Sequence, residues 1–205
     1  MTRTIADISV SLDGFVTGPD PDPGNGLGTG GEALHKWAFS DDPDERRLLR
    51  EGTARSGAVV LGRNLFDVVD GPYGWDDTSG YGAGEVGKPA FVVLTSSPPK
   101  SVRTTNLDWT FVTTGLPDAV TAARERAEAA SSESGKDLDV LLMGGGATIR
   151  SALDAGLVDV LTLHLAPVVL GSGTALFTGG APHTLVQRSV ISTSNATHLT
   201  YDVSR

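Results

Sequence analysis

The segment that most constrains the fold runs from Asp139 to Gly173, DVLLMGGGATIRSALDAGLVDVLTLHLAPVVLGSG. Val140-Leu141-Leu142-Met143 is a short apolar run that feeds directly into Gly144-Gly145-Gly146. A helical pattern follows over Ala147–Ala155, closed by Gly156, and then a second apolar run over Val158–Val169. A strand, a glycine turn, a helix and another strand in that order form a crossover unit of an α/β sheet. A strand that ends in glycines at the start of a helix also exposes free backbone N–H groups at the positive end of the helix dipole, which suits a phosphate. A triple glycine alone serves equally well as a tight turn, so its partners elsewhere in the chain decide between the two.

The rest of the chain repeats the alternation. Strands are predicted at Thr4–Val10, Ala58–Leu61, Pro89–Leu94 and Thr110–Thr113, with helices at Glu32–Phe39, Asp44–Ala54, Gly62–Val69 and Asp118–Ala130. Asp41 or Asp42 is placed to cap the second of these helices, with Pro43 at its first position. Thr184–Ser192 and Ala196–Val203 read as an antiparallel hairpin around Thr193-Ser194-Asn195. The pattern predicts an α/β fold, a mixed, mostly parallel sheet flanked by helices with an antiparallel C-terminal hairpin. Two Gly-rich stretches, 18–31 and 71–88, have the composition of binding loops or lids. Neither is flanked by a segment that could form a separate core, so residues 1–205 are expected to be one domain.

Composition removes several classes of function. With no cysteine in 205 residues, disulfides, thiolate metal sites and cysteine nucleophiles are excluded. The four histidines show no metal-ligand spacing. A net charge of −9 argues against nonspecific nucleic-acid binding, so an anionic ligand must be held by local dipoles and a few placed cations. No apolar run is long enough to span a bilayer, and the N-terminus enters a strand pattern with no apolar signal core, which predicts no membrane association and a cytoplasmic location.

Three strand ends share small or polar residues that let a ligand approach the backbone: Leu61-Gly62-Arg63-Asn64, Leu94-Thr95-Ser96-Ser97 and Met143-Gly144-Gly145-Gly146. In open α/β sheets, ligands bind beyond the carboxyl ends of the strands. Three such ends point to an extended ligand with several polar groups. A P-loop is excluded, because no Gly-x-x-x-x-Gly-Lys-Ser/Thr run exists. The late position of the glycines and their spacing also argue against the ordinary dinucleotide fold.

These motifs, with Ser11-Leu12-Asp13-Gly14 before them and Leu165–Gly173 (LAPVVLGSG) after them, resemble the dihydrofolate-reductase-like family over Thr4–Val203. The likeness is greatest to the branch containing the reductase domain of the riboflavin-biosynthesis deaminase/reductase. The resemblance implies NADPH along the C-terminal edge of the sheet. Gly62, Arg63 and Asn64 would sit near the pyrophosphate, with Arg63 also near the 2′-phosphate. Leu94, Thr95 and Ser96 would line the adenosine-phosphate end. Met143, Gly144, Gly145, Gly146, Ala147 and Thr148 would wrap the pyrophosphate and nicotinamide ribose. The backbone of Ile8 and Ser9 would meet the nicotinamide amide.

Asp13 matches the acid of the Ser-Leu-Asp-Gly motif and is the candidate catalytic proton donor, or else the anchor of an Asx-type turn with Gly14. The implied activity is hydride transfer to a small pterin- or aminopyrimidine-like heterocycle. The alternative is a non-catalytic nucleotide or small-molecule binding protein on the same scaffold. Folate reductases carry a carboxylate on the helix before the Gly-Arg motif. Counting back from Gly62 reaches Glu45 and Arg46 without a match, which argues against dihydrofolate itself. The same branch implies a homodimer.

Overall fold

The computed structural model describes residues 1–76, 80–81 and 88–204. Residues 77–79 and 82–87, the middle of the second Gly-rich loop, therefore lie outside the described residues. The elements run β1 (Thr4–Ser11), β2 (Phe15–Thr17), a 3-10 helix (Gly31–Phe39), α1 (Pro43–Ala54), β3 (Ser56–Gly62), α2 (Arg63–Val69), β4 (Ala90–Leu94), β5 (Trp109–Val112), α3 (Leu116–Ser134), β6 (Asp139–Met143), α4 (Gly146–Asp154), β7 (Val160–Ala166), β8 (Thr174–Ala175), β9 (Leu185–Ser192) and β10 (Thr197–Val203).

Eight strands form one sheet in the order β5-β4-β3-β6-β1-β7-β10-β9. The first six are mutually parallel, and β10 runs antiparallel to both β7 and β9. This is the predicted mostly parallel α/β sheet with an antiparallel C-terminal hairpin. Its central strands are buried on both faces, which is why Val59, Val60, Val92, Val140 and Leu142 form near-continuous apolar runs.

The two faces carry different cores. Ala6, Ile8 and Val10 of β1 point into a core with Ala119, Val120, Ala123 and Ala127 of α3 and with Ile149, Ala152 and Leu153 of α4. On the opposite face, Val59 and Leu61 pack with Phe66 and Val69 of α2 and with Phe91. Trp37 of the 3-10 helix also lies on that second face, against the ring of His164 from β7.

Local signals explain most boundaries. Asp42 caps α1, its Oδ1 accepting from the N–H of Asp44 at 2.9 Å, and Pro43 opens the helix. Gly135 ends α3 with φ 67°, in the left-handed region that glycine enters without steric cost. Three features depart from the expectation. The Glu32–Phe39 helix is a 3-10 helix. The last parallel strand stops at Ala166, because Pro167 has no N–H for a ladder and Val168 N–H turns back to the Ala166 carbonyl at 2.8 Å. A small ribbon of β2 with β8, too short to show a period, was not foreseen.

Candidate cofactor edge and buried polar chain

The sheet is notched at its C-terminal edge. β6 pairs with β1 only as far as Asp7↔Met143 and with β3 as far as Val60↔Leu142. Beyond Met143 the chain leaves the sheet through Gly144 and Gly145, at φ 64° and 76°, and enters α4. These are left-handed conformations that a side chain at Cβ would oppose. β1 continues through Ile8, Ser9 and Val10 to Ser11, and β3 continues to Gly62. Along the side of β1 that faced β6, the backbone of Ile8 and Ser9 therefore has no strand neighbour among the described residues. A gap between two longer strands at their carboxyl ends is the crevice in which open α/β sheets place ligands.

Three of the predicted residues meet at this notch. Thr148, in the first turn of α4, places its Oγ1 3.0 Å from where a Cβ at Gly62 would stand and 3.4 Å from a Cβ at Gly145. Gly62, Gly145 and Thr148 therefore converge on one cradle that any side chain at Gly62 would narrow. Gly146 is buried and serves packing, since its Cβ position lies 3.2 Å from Val16. Ala147 is exposed on the first turn of α4.

Arg63 opens α2. Its Nη1 donates to the Ser97 carbonyl at 2.9 Å and lies 3.5 Å from Thr95 Oγ1, while its Nε pairs with Asp67 at 2.7 Å. Thr95 is buried and donates to the Ser97 carbonyl at 2.8 Å. The ends of β3 and β4 are thus tied into one rim by Arg63. Asn64 and Ser96 are exposed beside it, and Leu94 and Met143 are half-buried strand termini.

Ile8 and Ser9 diverge at the side-chain level. Ile8 points into the α3–α4 core, whereas Ser9 Oγ accepts from Trp37 Nε1 at 3.0 Å on the other face. Only their backbones face the notch.

Asp13 follows the end of β1. Its Oδ1 accepts from Ser11 Oγ at 2.6 Å and from Leu170 N–H at 3.1 Å, and its Oδ2 accepts from Gly171 N–H at 2.7 Å. The Ser11 hydroxyl, foremost, together with the Gly171 and Leu170 amides, holds this carboxyl below the usual range. Asp13 thereby anchors the Leu170–Gly171 turn to the end of β1, its carboxyl oxygens accepting three hydrogen bonds.

The same sheet holds a buried polar chain absent from the sequence motifs. Asp7 Oδ1 meets His164 Nε2 at 3.0 Å, and His164 Nδ1 meets His198 Nδ1 at 2.7 Å. His198 Nε2 meets Thr193 Oγ1 at 3.0 Å, which in turn lies 2.6 Å from Glu45 Oε1. Glu45 is fully buried and also accepts from Ser40 Oγ, from Asn195 N–H at 2.8 Å and from Asn195 Nδ2 at 2.9 Å. Burial opposes its ionisation, but the bonds from Ser40, Thr193 and Asn195 prevail and hold the carboxyl below its ordinary value. For His198, burial first and the neighbouring His164 second push the imidazole down to about 4.

Asp7, His164 and His198 line a cavity of about 320 Å³ between α1 and the sheet, with Leu48, Arg3 and Arg55 also on its walls. The sequence carries one faint signal for this face. Asp7, Ser9 and Ser11 alternate with Ala6, Ile8 and Val10, a period of two that marks one polar face on a strand otherwise read as buried. No cluster capable of holding a metal ion occurs among the described residues.

With this geometry in place, comparison with known proteins is decisive for the family. The model of the RibD C-terminal domain matches residues 3–199. The chain belongs to the RibD C-terminal domain family. Solved structures share its fold. The pyrimidine reductase-like protein of Corynebacterium diphtheriae superposes with a TM-score of 0.59 at 18% identity, over 100% of this chain and 92% of that one. Acinetobacter baumannii RibD gives 0.65 at 18% identity, over 100% of this chain and 59% of the larger protein. The riboflavin biosynthesis reductase Rib7 of Saccharomyces cerevisiae gives 0.56 at 13% identity, over 99% and 90%. No curated protein matches the chain. Among the described residues no helix is long and apolar enough to cross a membrane.

Proposed function

We propose that this RibD-type domain is an NADPH-dependent reductase of a small pterin- or aminopyrimidine-like heterocycle. The observation that carries the reading is the notch above Met143. It offers the unpaired backbone edge of Ile8 and Ser9 on one side, the Gly62–Gly145–Thr148 cradle on the other and a helix N-terminus at its floor. Backbone donors, close approach and a positive dipole end are what a pyrophosphate requires. Arg63 at the outer rim supplies the planar fork suited to a 2′-phosphate. When bound, the nicotinamide supplies the hydride. The protein's own part is to hold the cofactor along β3, β4 and β6 and to orient the substrate beside β1. The names of the related reductases support this assignment of reaction class.

Titration calorimetry with NADPH tests it, followed by a spectrophotometric search for NADPH oxidation over pteridines, aminopyrimidines and their phosphoribosyl derivatives. Saturable NADPH binding with turnover of one member is the expected result. Absence of binding at millimolar cofactor overturns the reading.

A further inference from the structure

Hydride addition leaves a heteroatom that must take up a proton. Asp13 has its carboxyl oxygens engaged by Ser11, Leu170 and Gly171. A second source is the buried chain of side chains that starts at Asp7 on β1, and its protons can be counted.

The chain has four links: Asp7–His164, His164–His198, His198–Thr193 and Thr193–Glu45, at 3.0, 2.7, 3.0 and 2.6 Å. Each link needs one proton to be a hydrogen bond rather than a contact between two lone pairs. Two ionised carboxylates at the ends bring none. Two neutral imidazoles and one hydroxyl bring three. Thr193 also lies 3.0 Å from the Ala196 carbonyl, but its single proton belongs on the shorter contact with the carboxylate. The four links are therefore satisfied only if the chain holds one proton more than its neutral imidazoles supply.

That extra proton can occupy any link, since moving it shifts each neighbouring bond by one position. The surroundings bias it toward one end. Glu45 is kept ionised by Ser40, Thr193 and Asn195, and burial disfavours charge on His198. Geometry singles out the His164–Asp7 end as the place of exchange, because Asp7 is one-third exposed to the cavity there. Asp7 is also the residue paired with Met143, at the floor of the notch. Trp37 closes the other side of His164, its ring 4.0 Å away.

We propose that Asp7–His164–His198–Thr193–Glu45 is a proton-holding wire that stores one exchangeable proton and presents it, through Asp7, to a molecule in the adjoining cavity. Asp7 is then the catalytic donor, and His164, His198, Thr193 and Glu45 are positioning residues behind it. This rests on the reductase reading only for the use made of the proton. When the proton leaves, it goes to the substrate heteroatom that has gained the electron pair of the reduced double bond. The His164–Asp7 pair loses one positive charge, and solvent restores it. The groups that set its charge are His35 from the 3-10 helix, Glu45 and Glu51 from α1, Arg55 just after α1, Arg3 just before β1, Tyr81, Asp139 from β6, Arg188 from β9 and His198 from β10.

Histidine side-chain nitrogen NMR on the intact protein tests the wire without cofactor or substrate. At neutral pH the expected result is protons on both ring nitrogens of His164 and a proton only on Nε2 of His198. In Asp7→Asn the amide can donate to His164, so the extra proton is no longer required and both rings should read as neutral. Glu45→Gln should do the same from the other end. Two neutral rings in the unsubstituted protein, or an unchanged His164 signature in Asp7→Asn, overturns the proposal. The spectrum is independent of NADPH, so failure of the wire and failure of the reductase reading are separately visible.

Discussion

The two candidate sites of this sheet are built by opposite means. The notch uses backbone: glycines at positive φ, a helix start and the unpaired edge of β1, with Arg63 as the cation placed at its rim. The polar chain uses side chains alone, drawn from β1, α1, β7, the β9–β10 turn and β10, and meets the cavity only at its Asp7 end. Backbone sites fail when a side chain intrudes. Buried side-chain networks fail when one partner is removed and the rest are left with unmet hydrogen bonds.

The contrast can be broken or sharpened by substitution. Glu45→Ala should have the largest effect on stability, about 3 kcal/mol, because it orphans donors from Ser40, Thr193 and Asn195 in a fully buried site. Urea denaturation reads this, and a loss below about 1 kcal/mol would mean that water replaces the carboxylate. Gly145→Val should leave the fold with a strain of about 1–2 kcal/mol yet weaken NADPH roughly hundredfold, about 2.7 kcal/mol. Equal losses in stability and affinity would erase the distinction between the two regions.

A smaller effect is expected for Arg63→Ala. NADPH affinity should fall about tenfold and NADH affinity less than threefold. Calorimetry with both cofactors decides, and equal losses would remove Arg63 from the 2′-phosphate. Smallest is a pH signature of the polar chain. The folded value for His198 is lowered from 6.5 to about 4, so between those values the unfolded chain binds more protons and stability falls as pH drops from 6.5 toward 4. In His198→Gln, denaturation midpoints measured across that window should show a shallower slope.

The difference between the regions also explains what could be read from the sequence. Gly144–Gly146, Gly62-Arg63 and Thr95 are contiguous signals whose chemistry follows from residue type, and they resemble a known family in order and spacing. The alternation of strands and helices was visible for the same reason, since buried parallel strands appear as unbroken apolar runs. The polar chain joins residues 7, 45, 164, 193 and 198, so only the folded sheet order brings them together. His164 between two leucines looks like any satisfied strand residue until β10 supplies His198 opposite it. Asp13 shows the reverse case. Its motif was evident, but the amides that occupy it come from residues 170 and 171.

The position of β1 carries a consequence for how the chain acquires this structure. Its strand partners are β6 and β7, which begin at residues 139 and 160. The first strand of this sheet in sequence therefore waits for segments more than 130 residues downstream before either of its edges is covered. Pairing across such separations is slow, and until it happens β1 exposes two open edges to other molecules. The notch and the polar chain are both built on this strand, so the first cannot form before α4 follows β6 and the second cannot form before Thr193 and His198 are in place.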